Sequence, residues 1–362
     1  MSEQKVAHFE RFELESGQVL NAVEVAYRTW GQLNDRRDNA FVVFHSLTGD
    51  ADITGWWGPL IGPGRAVDTN RYFVICANLL GSCYGTTGPS THNPDLGRSW
   101  QADFPVPTVR DNVRLQQQLV RQLGVKRVDS VLGGSLGGML ALEWAAMDPD
   151  LGHVIAVSTS GRHSAWCIAW SESQRQAIYS DPNFNGGYYS AASPPSGGLA
   201  AARMMALLSY RTPDSFTARF GRETVKDEGA EAQFTVQSYL DYQGEKLVRR
   251  FDANSYVRLS QTANTHDLSR NRGKYEDVLA GIEQPALIVG INTDILFPLS
   301  EQRELADGLP NATLEVIHSS HGHDAFLIEG DRLNTIIWRW LHGKTPAQRT
   351  SSSASLNPCV SI

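Results

Sequence analysis

The feature that most constrains the fold is a serine between glycines, placed where a predicted strand meets a predicted helix. Residues 133–137 read Gly-Gly-Ser-Leu-Gly, after an apolar run at 128–132 and before a helix-forming run at 139–146. A sharp strand-to-helix turn forces the serine backbone into a strained conformation, and small neighbours let adjacent segments approach closely. The pattern therefore predicts a nucleophile elbow at Ser135, and the alternative is an ordinary glycine-rich loop.

The segments around this turn alternate between strand and helix patterns. Short apolar runs rich in β-branched and aromatic residues indicate buried strands at 41–44, 72–76, 128–132 and 154–157. Between Thr108 and Leu123 the apolar residues recur at helical spacing, and Gly124 ends this predicted helix. The alternation predicts a doubly wound sheet of mostly parallel strands. Further strands are predicted at 286–290 and 313–317, followed by a last helix at about 332–341.

A long segment without strand-like runs interrupts this alternation. Between about Trp166 and Leu279 amphipathic helical patterns dominate, and we interpret 166–279 as a helical lid. The α/β core is then discontinuous, comprising 1–165 and 280–345, and the small, polar tail at 346–362 is expected to be disordered. The predicted fold class is α/β, of the α/β-hydrolase type with an inserted lid.

Composition restricts the class of partner. The 362 residues are 41% hydrophobic with a net charge of -7, which favours a small-molecule substrate over nucleic acid. The sequence contains no apolar run near the roughly 20 residues of a membrane helix and no signal region at its N-terminus, so we expect a soluble, cytoplasmic protein without membrane contact. The four cysteines lack CxxC spacing, which suggests neither a zinc site nor a disulfide framework.

A serine hydroxyl needs a general base, and in this fold class an acid and then a histidine follow the serine along the chain. Asp294 follows the predicted strand at 286–290, and His323 follows the strand at 313–317. Two other histidines lie nearby, at His318 and His321, but His323 begins the segment leading into the next predicted helix. We predict Ser135, Asp294 and His323 as a catalytic triad. The alternative for Asp294 is a turn or helix-capping residue.

The oxyanion formed by serine attack needs two backbone N–H donors, one after the nucleophile and one from an early strand-end loop. Leu136 supplies the first of these amides. Residues 45–49 (His-Ser-Leu-Thr-Gly) directly follow the strand that ends at Phe44, and Leu47 is the candidate for the second. The alternative is that this loop is a plain connection.

Several motifs outside the elbow give the chain a specific resemblance. They are HSLTG at 45–49, WWGP at 56–59, GPG at 62–64, NLLGSCYGTTGP at 78–89, GGSLGGM at 133–139, SYR at 209–211, QSYLDYQ at 237–243 and GHDAF at 322–326. With these motifs the chain resembles the homoserine O-acetyltransferase family of α/β-hydrolase-fold acyltransferases, over about residues 9–341. Residues 162–167 and 174–179 look closest to a fungal branch that includes deacetylcephalosporin C acetyltransferase.

The resemblance implies a reaction and two further site residues. The family's triad maps onto the three residues above, and its acceptor-binding residues map onto Arg211 and Asp324. A guanidinium can hold an α-carboxylate and a carboxylate can hold an α-ammonium; the alternatives are a surface ion pair and a helix cap. The implied reaction moves an acetyl group from the co-substrate acetyl-CoA to L-homoserine, as a step towards methionine, without a metal or a tightly bound cofactor.

Other acceptors and donors fit the same motifs. Deacetylcephalosporin C stays open as an acceptor because of the likeness to the fungal branch. L-serine and a succinyl donor stay open because residues 292–297 look like the related serine O-succinyltransferases. A serine esterase, in which water replaces the acceptor, is the rival from another class, and a noncatalytic binding protein is a third. Relatives commonly pair through lid helices, so the resemblance also implies a homodimer formed by the lid.

Overall fold

The computed structural model describes residues 2–226 and 232–343. The strands are β1 (Lys5–Glu13), β2 (Val19–Trp30), β3 (Ala40–Phe44), β4 (Phe73–Ala77), β5 (His92–Asn93), β6 (Arg98–Ser99), β7 (Val128–Gly134), β8 (His153–Val157), β9 (Thr224–Lys226), β10 (Gln233–Phe234), β11 (Ala286–Ile291) and β12 (Ala312–Ile317). The helices are α1 (Ile53–Trp56), α2 (Val109–Gln122), α3 (Leu136–Met147), α4 (Ala165–Tyr179), α5 (Ser196–Tyr210), α6 (Pro213–Phe220), α7 (Thr235–Val248), α8 (Ala253–Asn264), α9 (Tyr275–Ala280), α10 (Leu299–Gly308), α11 (Ala325–Ile328) and α12 (Gly330–His342).

One sheet of eight strands organises the core, in the order β1-β2-β4-β3-β7-β8-β11-β12. The strands from β4 to β12 in this order run parallel, whereas β2 pairs antiparallel with both β1 and β4. The predicted doubly wound, mostly parallel sheet is therefore confirmed. In such sheets the carboxyl ends of the strands form the edge at which ligands bind.

The apolar core lies on both faces of the sheet because side chains alternate along each strand. In β3, Ala40, Val42 and Phe44 pack into one buried cluster, and Phe41 and Val43 pack into the other. Every residue of β3 is buried, as expected for a strand covered on both sides. The helix α2 covers one face, and its N-terminus is fixed by a capping box in which Thr108 accepts from the backbone N–H of Asp111.

The chain between β8 and β11 forms helices α4 to α9 and one short antiparallel pair, β9 with β10. Helix α5 packs between α4 and α7. The sequence analysis did not anticipate the two strands, which are only three and two residues long. We propose that 166–279 acts as the lid. The predicted disordered tail, 346–362, lies outside the described residues. Within the described part of the chain, no helix has the length and apolar character needed to span a bilayer.

Candidate active site

Ser135 lies at the junction of β7 and α3 in a strained backbone conformation, with φ of 57° and ψ of -124°. Its N–H donates to the carbonyl of Val157 (2.9 Å), and its carbonyl accepts the hydroxyl of Thr159 (2.9 Å). The amides of Gly138 and Met139 donate to the same carbonyl. The backbone at Ser135 is therefore fixed from both sides, which is how a structure sustains a conformation that costs about 1–3 kcal/mol.

The glycines around Ser135 are needed because backbone segments cross there at close range. A Cβ atom at Gly133 would lie 2.0 Å from the carbonyl oxygen of Gly137, and one at Gly137 would lie 2.3 Å from that of Phe44. Both distances are far below van der Waals contact. The pattern at 133–137 thus lets α3 start directly against the end of β3, as the sequence analysis predicted for a nucleophile elbow.

The structure brings His323 and Asp294 together across two loops. The imidazole Nδ1 lies 2.7 Å from Oδ2 of Asp294, and both residues are buried. The other carboxylate oxygen of Asp294 accepts the backbone N–H groups of Leu296 and Phe297, each at 2.9 Å. A carboxylate accepts hydrogen bonds, so this contact assigns the proton to Nδ1 and leaves Nε2 free to act as a base.

The imidazole of His323 is also held by aromatic rings. Its centroid lies 5.6 Å from that of Tyr210, 5.4 Å from that of Phe297 and 5.2 Å from that of Phe326. Of the other two candidate histidines, His318 is exposed at the end of β12, and neither it nor His321 contacts Asp294 among the described residues. His323 is therefore the histidine that the fold orients through an acid.

Two cavities meet at Ser135. The first, of about 30 Å³, is lined by Ser135, His323 and Asp324 together with Ser46, Leu47, Thr48, Tyr210, Phe326 and Leu327. Ser135 and His323 thus face one space, although they are far apart in the chain. Asp324, predicted as an acceptor-binding residue, lines the same cavity.

The second cavity, of about 40 Å³, extends from Ser135 towards helix α4. Its walls include Leu136, Met139, Cys167, Trp170, Leu296 and Phe297, with polar groups from His163, Ser171, Gln174 and Ser260. Burial, with smaller effects from His266 and Arg175, lowers the pKa of His163 to about 3, so its ring is neutral. Among the described residues, no Asp, Glu, Lys or Arg side chain lines this cavity.

The two residues predicted to supply the oxyanion donors, Leu47 and Leu136, line one cavity with Ser135. Leu136 is the first residue of α3, where backbone N–H groups have no intrahelical acceptor. Leu47 lies in a turn closed by the N–H of Gly49 donating to the carbonyl of Ser46 (3.0 Å), and the hydroxyl of Ser46 joins this turn to the carbonyl of Gly134 (3.0 Å). Leu47 and Leu136 both line the second cavity with Ser135.

Arg211 and Asp324 face each other as a loose, buried pair. Their Nη1 and Oδ2 atoms are 3.8 Å apart, and each side chain is only 5% exposed. Neither of these two atoms has a hydrogen-bond partner within the described residues. Arg211 is therefore not a surface ion-pair residue, and Asp324 makes no side-chain cap to the helix that follows it. The pair presents one positive and one negative group that a zwitterionic ligand could satisfy.

Arg203 is a buried charge near the site that the sequence analysis did not identify. It is 3% exposed on α5, and its guanidinium carbon lies 5.8 Å from the ring centroid of Tyr210. Burial raises the pKa of Asp324, and Arg203 is the nearby group that most strongly opposes the rise, ahead of His323 and Arg211. The available signal was an arginine in the otherwise apolar run at 199–208, where a buried charge implies a partner.

A metal centre is not evident in the described parts of the chain, 2–226 and 232–343, where no three His, Cys, Asp or Glu side chains are grouped to hold an ion. The groups gathered at Ser135 are a base oriented by an acid, backbone donors and the buried side chain of Asp324, which faces Arg211 behind the cavity lining. Such a set can perform acyl transfer through a covalent serine intermediate.

Comparison with known proteins agrees with this geometry. Residues 39–329 match the family model for the alpha/beta hydrolase fold. The homoserine O-acetyltransferase of Chloroherpeton thalassium is 54% identical over 325 residues, covering 90% of this chain and 85% of that protein. That of Trichormus variabilis is 54% identical over 327 residues, covering 90% of each. The chain belongs to the homoserine O-acetyltransferase family.

Solved structures of the family and of esterases share the fold. The homoserine O-acetyltransferase of Bacillus anthracis superposes with a TM-score of 0.89 at 25% identity, covering 96% of this chain and 100% of that one. Esterase E22 superposes with a TM-score of 0.87 at 28% identity, covering 94% of this chain and 100% of that one. The two sequence relatives named above are bacterial, and the closer likeness to a fungal branch stays a prediction.

Proposed function

We propose that the protein transfers the acetyl group of acetyl-CoA to the hydroxyl of L-homoserine through an acyl-enzyme on Ser135. The observation that carries the proposal is the loose, buried pair of Arg211 and Asp324, beside the cavity that holds Ser135 and His323. An esterase has no need for a loosely paired, buried arginine and aspartate beside its serine, whereas an amino-acid acceptor could give each of them a hydrogen-bonded partner.

In the first half-reaction Nε2 of His323 removes the proton of Ser135 as Oγ attacks the thioester carbonyl carbon. The N–H groups of Leu47 and Leu136 stabilise the negative charge on the carbonyl oxygen. The carbon–sulfur bond then breaks, and the imidazolium returns its proton to the leaving thiolate of CoA. Asp294 holds the imidazole in the tautomer that this step requires.

In the second half-reaction Arg211 holds the carboxylate of homoserine and Asp324 holds its ammonium group. The same imidazole removes the proton of the homoserine hydroxyl, whose oxygen attacks the acyl carbon. The ester bond to Ser135 breaks, and the proton moves to its Oγ. The products are O-acetyl-L-homoserine and the free enzyme, and no step needs a metal or a tightly bound cofactor.

The second cavity supports acetyl rather than succinyl as the donor group. The described residues of its lining include no Asp, Glu, Lys or Arg, and the one histidine among them, His163, is neutral. A succinyl carboxylate placed in it would lose its water without gaining a counter-charge, which is costly. A cavity of about 40 Å³ also accommodates only a small group.

The lid, the oligomer and the location complete the proposal. Transfer to homoserine has to outrun hydrolysis, so the lid excludes water from the acyl-serine.

The lid also carries exposed side chains. Leu208 on α5 and Tyr242 on α7 are large residues that are 49% and 55% exposed, which supports a homodimer formed through the lid. The substrates are small metabolites, and a cytoplasmic location fits their supply.

The test is CoA release from acetyl-CoA, with mass-spectrometric identification of the product, in the presence of L-homoserine, L-serine, deacetylcephalosporin C or no acceptor. Efficient O-acetylation of homoserine alone supports the proposal. If L-serine or deacetylcephalosporin C is preferred, the acceptor assignment changes and the acyl-enzyme mechanism stands. Ser135→Ala is the control that should abolish the acyl-enzyme while the protein stays folded.

A serine esterase is the second candidate, and the likeness to esterase E22 favours it. An esterase would release CoA at the same rate with and without any acceptor, because water completes the reaction. The acetyltransferase proposal predicts instead that homoserine raises the rate and that its O-acetyl ester accounts for the released CoA.

A further inference from the structure

His45 is a fully buried histidine that the proposed mechanism does not use. It follows β3 directly and is 0% exposed. Its Nδ1 lies 2.8 Å from the carbonyl oxygen of Ser46, and its Nε2 lies 3.1 Å from the backbone nitrogen of Leu79. A carbonyl can only accept and a backbone N–H can only donate, so the neighbours allow one neutral tautomer, protonated at Nδ1.

The carbonyl that His45 holds belongs to the peptide unit that carries the N–H of Leu47. The C=O and N–H of a trans peptide are antiparallel in one plane, and the described residues contain no cis peptide bond. The Ser46 carbonyl accepts from both Nδ1 of His45 and the N–H of Gly49. Two donors on one carbonyl fix the rotation of this plane, and hence the direction of the N–H of Leu47.

We infer that His45 is a positioning residue that aims the N–H of Leu47 at the oxyanion formed on Ser135. The inference rests on the proposed acyl transfer and identifies what preorganises one of its two donors. Oxyanion stabilisation depends on donors that are in place before charge develops. A side chain that holds the far end of the same peptide unit supplies that preorganisation.

The surroundings of His45 leave its ring little freedom. A Cβ atom at Gly49 would lie 3.0 Å from Cβ of His45 and 3.4 Å from its Nδ1, so glycine at this position lets the imidazole reach the carbonyl. Burial lowers the pKa of His45, with the backbone of Ser46 and the charge of Asp50 acting against it. The ring therefore stays neutral, and its two hydrogen bonds keep their directions across the usual assay range.

Other contacts fix the rest of this loop but not this peptide. Arg250 donates through Nη1 to the carbonyl of Thr48 (2.7 Å), and the hydroxyl of Ser46 donates to the carbonyl of Gly134 (3.0 Å). Both contacts hold the loop near the elbow. Among the described side chains, His45 is the one that bonds to the peptide group between Ser46 and Leu47.

Two substitutions separate the positioning role from a structural one. In His45→Asn the amide nitrogen can occupy the place of Nδ1 and donate to Ser46, while the acceptor for Leu79 is lost. In His45→Gln the amide oxygen can occupy the place of Nε2 and accept from Leu79, while the donor to Ser46 is lost. Each variant loses one buried hydrogen bond, so we expect similar losses of Tm.

The readout is the single-turnover rate of Ser135 acetylation by acetyl-CoA, together with the acetyl-CoA concentration at half-saturation. His45→Gln should lower the maximal rate by about 10- to 100-fold with half-saturation little changed, because a misdirected donor affects the transition state more than the bound substrate. His45→Asn should stay within about threefold of the unsubstituted rate. Equal losses in both variants, or an unchanged rate in His45→Gln, would overturn the inference.

A measurement on the unsubstituted protein covers the case in which neither variant folds. Nitrogen-15 NMR of histidine-labelled protein, with the ring signals assigned to individual residues so that His45 is distinguished from His266 and His323, should show that the His45 ring is neutral and protonated at Nδ1. Protonation at Nε2, or a cationic ring, would contradict the inference. Failure of the proposed function gives a different result, because the unsubstituted protein would then form no acetyl-enzyme at Ser135.

Discussion

At the scale of single residues, the candidate site contains two buried side chains of opposite charge that contact each other only loosely. Nη1 of Arg211 and Oδ2 of Asp324 are shielded from solvent, yet neither has a hydrogen bond within the described residues. Leaving such atoms unpaired costs roughly 1–3 kcal/mol each, more for charged groups. In the proposed function a zwitterionic acceptor supplies a carboxylate to Arg211 and an ammonium group to Asp324, so we expect the pair to select for the acceptor rather than for the acyl donor.

Replacing Asp324 with asparagine should therefore separate the two half-reactions. Asp324→Asn removes the charge that would hold the acceptor ammonium, and we expect the KM for homoserine to rise by about 10- to 100-fold, as for the loss of a charged hydrogen bond. The rate of Ser135 acetylation should be nearly unchanged. Steady-state kinetics with varied homoserine, and single-turnover acetylation without it, measure the two effects.

The matched control for this prediction is Asp331→Asn. Asp331 is an acid of the same chain whose side chain is 87% exposed and lies 3.6 Å from Arg65, so its loss should leave both half-reactions unchanged. If Asp324→Asn instead slows acetylation of Ser135 as much as it weakens homoserine binding, Asp324 acts on the neighbouring His323 and the acceptor-site assignment is wrong.

The order of the candidate residues along the chain, each after a predicted strand, predicted more of the site than the sequence pattern around each residue did. Asp294 and His323 could be proposed because each follows a predicted strand after Ser135, and in a parallel sheet those strand ends lie at one edge. The 2.7 Å contact between them required the fold. The charge of Arg203 in an apolar run implied a partner but not which one, and His45, although it follows a predicted strand, gave no sign of the peptide group that it contacts.

At the scale of secondary structure, the elbow is a place where a helix and a strand touch through their backbones. Helix α3 begins at Leu136, and ten of its twelve residues are buried, including Gly137 and Gly138. A Cβ atom at Gly138 would lie 2.6 Å from Cγ2 of Thr159. The start of α3 therefore packs at distances that only glycine permits, and its position determines where the N–H of Leu136 points.

Gly137→Ala should be strongly destabilising, since the new methyl group would lie 2.3 Å from the carbonyl oxygen of Phe44. Neither backbone can yield without moving α3 away from β3, and overpacking of this kind costs typically about 1–3 kcal/mol and occasionally more. We expect at least about 2 kcal/mol less free energy of unfolding, measured by urea denaturation. Any folded fraction should be impaired in acetylation because the elbow has shifted.

Gly55→Ala is the control for Gly137→Ala. A Cβ atom at Gly55, in α1, would have no atom within 4 Å, so the alanine should be neutral or slightly stabilising. Equal stability of the two alanine variants would show that the close approach of α3 to β3 is not rigid, and the argument for the glycines at the elbow would then fail.

Elements whose patterns are strong were predicted, and those with weak patterns were not. The strands β7, β8, β11 and β12 lie within two residues of their predicted bounds, because each is a short apolar run between turn residues. Strands β1 and β2 were missed. In β1 only two of nine residues are buried, as expected for an edge strand with one partner, so its sequence is mostly polar and carries little periodic signal.

At the scale of the whole molecule, the core and the helical insertion are joined through the buried His266 and through His163, whose ring nitrogens are shielded from solvent. The backbone N–H of His163, after β8, donates to the carbonyl of His266, after α8, at 2.8 Å. The Nε2 of His266 lies 2.9 Å from the carbonyl of Ser160, to which it donates, and Arg162 and Asp267 form an isolated β-bridge beside it. Protonating either ring would place a charge inside this junction.

This junction gives the stability of the protein a defined dependence on pH. Burial lowers the pKa of His266 to about 4, although the charge of Glu143 and the Ser160 carbonyl act in the opposite direction. In the unfolded chain the same group titrates near its ordinary value of about 6.5. Between these two values the unfolded chain binds a proton that the folded protein does not, so the free energy of unfolding falls as the pH drops from about 6.5 to 4.

His266→Gln isolates this contribution, because the amide nitrogen of glutamine can replace Nε2 as donor to Ser160 but does not titrate. A difference of one bound proton changes the free energy of unfolding by about 1.4 kcal/mol per pH unit. Between pH 6 and 5 the free energy of unfolding of the variant should therefore depend less steeply on pH, by up to that amount. Urea denaturation of both proteins at pH 8, 6 and 5 measures this difference, and the pair of measurements at pH 8 gives the effect of the substitution itself.

Other groups also titrate in this range. Groups with raised pKa values, such as Glu301 at about 7, oppose the loss of stability at acid pH in both proteins alike and cancel in the comparison. If the free energy of unfolding of the two proteins depends on pH in the same way, His266 already binds its proton in the folded state. The junction would then accommodate a charged His266, contrary to the expectation from its burial.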